Sequence, residues 1–137
     1  MAAGFIEKGC GMLSVLVVDD ETGARTMLAM ALRGADIHVD MAADGPTALE
    51  LIGKNPYDWV VSDVKLPGMD GVTLIKQIGR LSPKTRMLLI SAVLHEDDVR
   101  ALPIDGFWRK PFDPFAIQRF IVENANAADS RKAYGLR

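Results

Sequence analysis

"SVLVVDDE" occupies residues 14–21, and the fold turns on how it is read. Apolar residues through Val18 give way at once to Asp19, Asp20 and Glu21. A run this short and this apolar suits a strand buried on both faces, the kind found in parallel sheets. Like charges crowded at the end of such a strand repel one another, so a cation is expected among them.

Four more runs share that character: "IHVDMA" (37–42), "WVVS" (59–62), "RMLLIS" (86–91) and "GFWR" (106–109). Between them the spacing changes to a helical period. Ala24, Met27, Leu28, Ala31 and Leu32 fall on one stripe, as do Ala48, Leu51 and Ile52, then Leu74, Ile75, Ile78 and Leu81, and finally Ile117, Phe120 and Ile121. Pro46 and Pro114 mark helix starts, each just after an aspartate suited to capping. The rhythm is strand then helix, five times. It predicts an α/β fold with a doubly wound parallel sheet and right-handed crossovers.

The bulk numbers agree and narrow the function classes. The 137 residues are 49% hydrophobic and 25% charged, with 16 basic and 18 acidic residues and a net charge of −2. That fits one globular domain, flanked by an arm over 1–12 and a tail or linker over 125–137. No basic block suggests direct nucleic-acid binding. No apolar run approaches the ~18 residues of a membrane span, and Glu7 and Lys8 interrupt any secretory leader. Cys10 is the lone cysteine, which fits a reducing compartment; a cytoplasmic location is expected.

In a doubly wound sheet, ligands bind beyond the carboxyl ends of the strands. Asp19 and Asp20 follow strand 1, Asp63 strand 3, Ser91 ends strand 4 and Lys110 follows strand 5. Three carboxylates, a hydroxyl and an ammonium would converge there. An oxygen-rich anionic pocket suits Mg²⁺. With Mg²⁺ and Lys110 neutralising the incoming oxygens, one carboxylate could attack phosphorus and hold it as an acyl phosphate. Asp63 is the best candidate, standing alone on its strand while Asp19 and Asp20 hold the metal.

Taken together, "VLVVDDE", "VVSDVKLPGMDG", "LLISA" and "FWRKPF" resemble the receiver domain of two-component response regulators, over roughly residues 13–124. The resemblance implies a flavodoxin-like five-stranded sheet of order 2-1-3-4-5 with helices on both faces. It makes Asp63 the phosphoryl acceptor, Asp20 a direct Mg²⁺ ligand, Asp19 a ligand mainly through water, and the Lys65 carbonyl the last protein ligand. Ser91 would bond the phosphoryl oxygen, Ala92 would leave room for it and Lys110 would pair with it. The Lys110–Pro111 peptide would be cis, and Asp70 would cap the next helix. Implied partners are a sensor histidine kinase or phosphotransfer protein upstream and a docking protein downstream.

Two departures bear on signalling. Phe107 stands where the family often has a tyrosine that changes rotamer; with no hydroxyl, it allows a hydrophobic switch with Ser91 but not a hydrogen-bonded one. The segment from Ser91 to Lys110 is short and contains Pro103, so the fourth helix is expected to be one or two turns over Glu96–Leu102, or irregular. A partner is then expected on the first helix or on the face that the shortening exposes.

Other residues read as structure. Met27, Met30 and Met41 are expected to fill the core, Trp59 to pack at a strand start, and His38 and His95 to be solvated. A haloacid-dehalogenase-like phosphatase would need an aspartate two residues beyond its nucleophile. Lys65 follows Asp63 at that spacing and Glu21 follows Asp19. A receiver kept only as an interaction module, or a fragment of a larger regulator, are the remaining alternatives.

Overall fold

The computed structural model describes residues 12–125. The expected arm and tail therefore lie outside the described residues, except for Met12 and Ala125. All five apolar runs are strands: β1 Ser14–Val18, β2 His38–Ala42, β3 Trp59–Asp63, β4 Arg86–Ser91 and β5 Gly106–Arg109. They form a parallel sheet of order β2-β1-β3-β4-β5. This is the flavodoxin-like doubly wound arrangement.

Five helices are found among the described residues: α1 Thr22–Arg33, α2 Gly45–Lys54, α3 Gly71–Leu81, α4 Glu96–Val99 and α5 Pro114–Glu123. The caps are those the sequence marks. Asp44 accepts from the Thr47 amide at 2.8 Å, Asp70 from Thr73 at 2.7 Å and Asp113 from Phe115 at 2.9 Å. Each satisfies a helix-end N–H that has no partner within the helix. No helix among the described residues is long and apolar enough to cross a membrane.

Two cores sandwich the sheet. Under α1 and α5, Val15, Val17, Leu28, Leu32, Trp59, Val61, Ile117, Phe120 and Ile121 pack together. On the other face, Leu16, Val18, Val60, Leu74, Ile75, Ile78, Leu89, Val99 and Ile104 do the same beneath α2, α3 and α4. Alternate residues of β1 and β3 serve opposite cores, which is why their runs carry no polar alternation. Trp59 is buried as expected, edge-on to Phe120 at 5.9 Å between centroids, and Trp108 is edge-on to the same ring at 5.1 Å.

The methionines correct the sequence reading. Met27 is 60% exposed, Met30 65% and Met41 38%, so none of them fills the core. α1 turns Leu28, Ala29, Ala31 and Leu32 inward instead. Its residues 27–32 are all apolar, so periodicity alone could not choose among adjacent faces. Leu81 is likewise exposed, at the last position of α3. The shortened fourth helix is borne out. α4 is a single turn that ends at Val99, earlier than Leu102, and the chain reaches Pro103 through bends. His38 and His95 are both exposed.

Candidate functional site at the carboxyl edge of the sheet

The ladder continues past the strand ends and so fixes the site. The Asp19 amide donates to Ala42 at 3.1 Å, Val64 to Ile90 at 3.0 Å and Lys110 to Ser91 at 2.9 Å. Register places Asp63 opposite Ile90 and Ser91 opposite Arg109. Residues from four strand ends are thereby brought to one edge.

Asp20, Asp63, Lys65, Leu66, Pro67, Ser91, Ala92, Val93 and Lys110 line a cleft of about 450 Å³. Asp19, Asp20 and Asp63 each offer a carboxylate oxygen, all within 4.8 Å of one another. Asp19 and Asp63 are buried and Asp20 is exposed. Lys110 Nζ lies 2.8 Å from Asp63 Oδ2, 3.3 Å from Asp19 Oδ2 and 4.0 Å from Glu21 Oε1. The sequence asked for a cation among these carboxylates, and this ammonium is one. It faces three acidic side chains, so the cluster retains negative charge for a second cation. An all-oxygen set of this kind fits a hard divalent ion.

Burial lifts the Asp19 carboxyl above the usual carboxylate range, and Asp63 pushes it further. The Glu21 amide bond and the Lys110 charge pull it back without cancelling the rise. Burial by itself lowers the Lys110 ammonium, but its bond to Asp63 and the charges of Asp19 and Asp63 outweigh that, so it sits above the ordinary lysine value. Lys110 is a fixed cation at neutral pH.

The remaining candidates have definite places. Asp63 Oδ1 accepts from the Lys65 amide at 3.2 Å, leaving Oδ2 on Lys110. Ser91 Oγ accepts from the amides of Val93 at 2.9 Å and Leu94 at 2.8 Å. Ala92 is exposed beside it. The Lys110–Pro111 peptide is cis. Phe107 is half-buried and packs on the core beneath α2 and α3, whereas Trp108 packs on the opposite core. Asp70 lies in the loop as the cap of α3, not with the three clustered carboxylates.

Glu21, the third carboxylate of the opening run, reaches Lys110 as the crowding of charge suggested. Sequence reasoning missed one residue at this edge: Arg25, whose Nη1 donates to the Asp19 carbonyl at 2.7 Å. A charged residue in the first turns of a helix carries no sequence signal for such a contact.

Residues 15–121 match the response regulator receiver domain family, and the chain belongs to it. It is 36% identical over 107 residues to the sensor kinase CckA of Brucella abortus, covering 74% of this chain and 11% of that protein. It is 40% identical over 103 residues to the transcriptional regulatory protein CutR of Streptomyces coelicolor, covering 73% of this chain and 48% of that one. The chain thus spans less than half the length of these relatives. Among solved structures, a putative response regulator from Chloroflexus aurantiacus superposes with a TM-score of 0.74 at 34% identity, covering 82% of this chain and 96% of that one. A response regulator protein from Burkholderia pseudomallei, solved with a phosphorylated aspartic acid, calcium ion and citrate, shares the fold. Its TM-score is 0.75 at 21% identity, covering 90% of this chain and 72% of that chain.

Proposed function

We propose that residues 13–124 form a phosphorylation-dependent signalling switch acting in the cytoplasm. It takes a phosphoryl group onto Asp63 from a sensor histidine kinase or phosphotransfer protein. The observation that carries this reading is the Lys110 ammonium 2.8 Å from Asp63 Oδ2, inside a cluster of three carboxylates. The Burkholderia structure, with its phosphorylated aspartic acid and divalent ion, supports the same chemistry here. That the relatives include a sensor kinase and a transcriptional regulator supports a role between an upstream donor and a downstream partner.

Asp19, Asp20, Asp63 and the Lys65 carbonyl would hold Mg²⁺, which supplies positive charge that lets phosphoryl oxygens approach the carboxylates. An Asp63 oxygen attacks phosphorus as the bond to the donor's imidazole nitrogen breaks, the electron pair leaving with that nitrogen. The product is an acyl phosphate. Lys110 leaves its ion pair with Asp63 for a phosphoryl oxygen, where its ammonium again faces anionic oxygen and offsets the charge of the transferred group. Ser91 Oγ accepts two amide bonds, so its own proton is left to donate to the phosphoryl group. Moving Ser91 toward the phosphate releases the amides of residues 93 and 94, and Phe107 turns within its apolar pocket. The altered surface then docks a downstream protein.

Intact-mass spectrometry after incubation with acetyl phosphate and Mg²⁺ tests this. One phosphoryl adduct is expected, dependent on Mg²⁺ and absent in Asp63→Ala. No adduct under rapid quenching would leave the chain an interaction module that works without phosphorylation.

A further inference from the structure

Asp19 is held at every polar group it has. Its amide donates to Ala42 and its carboxylate accepts from the Glu21 amide at 2.9 Å and from Lys110. Its carbonyl accepts from Arg25 Nη1 at 2.7 Å, and Arg25 Nη2 reaches Thr22 Oγ1 at 3.4 Å. The last contact matters most for the next residue. The Asp19 carbonyl belongs to the Asp19–Asp20 peptide, which is planar, so holding that oxygen fixes the rotation of the whole unit. That rotation sets where the Asp20 side chain leaves the backbone. Asp20 is the exposed member of the carboxylate cluster, with the least packing around it.

We propose that Arg25 is a positioning residue for the divalent-metal carboxylates: by locking the Asp19–Asp20 peptide plane, it aims Asp20 at the point that Asp19 and Asp63 also face. This rests on the reading of the cluster as a metal site. Two roles for Arg25 predict opposite signs, which makes the inference sharp. As a bare positive charge near a cation site, Arg25 would repel the metal, and its removal would tighten binding. As a latch it makes binding tighter, and its removal loosens it. Partners behind the ligands of a metal site act in the second way, commonly by an order of magnitude or more.

The test is a titration of the full chain with Mg²⁺ alone, followed through the amide resonances of residues 19–21 and 63. Arg25→Met is expected to bind Mg²⁺ about tenfold more weakly than the unmodified protein. Arg25→Lys keeps the charge but loses the planar two-pronged donor, and is expected to fall between the two. Equal or tighter binding by Arg25→Met, or Arg25→Lys indistinguishable from the unmodified protein, overturns the proposal. Should Arg25→Met not unfold cooperatively, the Arg25→Lys comparison decides alone. No saturable shifts in the unmodified protein would instead overturn the metal reading itself, an outcome distinct from a missing effect of Arg25.

Discussion

Gly71 stands directly against the carbonyl of Asp63. A Cβ at Gly71 would lie 2.1 Å from the Asp63 carbonyl oxygen and 2.9 Å from Val64 Cα, so α3 begins where only a hydrogen fits. Gly68, three residues earlier, has open space around it but a φ of +78°. Two glycines in one loop are thus required for different reasons, one steric and one conformational.

Gly71→Ala is therefore expected to cost about 3 kcal/mol, because the clash is with backbone that cannot turn aside. Gly68→Ala is expected to cost only about 1 kcal/mol, the penalty of a left-handed conformation. Urea unfolding midpoints of the two variants would show the order, and equal midpoints would contradict it.

Lys110→Met removes the cation shared by Asp19 and Asp63. Phosphoryl uptake from acetyl phosphate should slow by roughly 10²–10³, the usual loss when a charge-stabilising donor is deleted. Mg²⁺ binding should persist, since Lys110 is not a ligand. Quenched-flow mass spectrometry and calorimetric titration measure the two separately. Loss of both together would point to a collapsed site.

Tyr57 supplies a pH dependence far from the site. Its hydroxyl donates to Asp40 at 2.6 Å; burial, then that bond and the Asp40 charge, push the hydroxyl well above the usual 10.0. The folded chain keeps this proton where the unfolded chain releases it. The stabilisation is complete below the unfolded value and is lost as pH rises from there toward the folded one. Unfolding midpoints between about pH 10 and 12 should fall more steeply in the unmodified protein than in Tyr57→Phe.

Phe120 lies edge-on to both Trp59 and Trp108, with interplanar angles of 79° and 80°. Phe120→Leu gives up two aromatic pairs, worth about 0.5–1.5 kcal/mol each, besides any packing defect. Thermal unfolding should record a loss of about 2 kcal/mol or more, with a change in the emission of both tryptophans.

The strands were the most legible part of the sequence. "RMLLIS" and "GFWR" coincide with β4 and β5 residue for residue, because each is a short apolar stretch with polar residues at its limits. The convergence of Asp19, Asp20, Asp63, Ser91 and Lys110 was legible too, since parallel order puts every strand's carboxyl end on one edge. The inward face of α1 was not, because Met27 and Met30 are as apolar as the alanines that actually pack. Nor were Arg25 on the Asp19 carbonyl or Tyr57 on Asp40, the latter 17 residues apart. Such contacts depend on where a long side chain comes to rest, which composition does not record.

The single turn of α4 also sets how evenly the molecule resists opening. Four residues are too few to sustain a helix unaided, and Val99 is the only one buried. Next to it, β5 is an edge strand, four residues long and joined to the sheet through β4 alone. Residues 94–109 are therefore expected to form a segment of low local unfolding free energy beside the central strands. In hydrogen exchange, the amides of α4 and β5 should lose protection well before those of β1 and β3. Exchange in that order would place the softest of the described segments between Ser91 and Lys110, next to the carboxylate edge where the proposed phosphorylation would act.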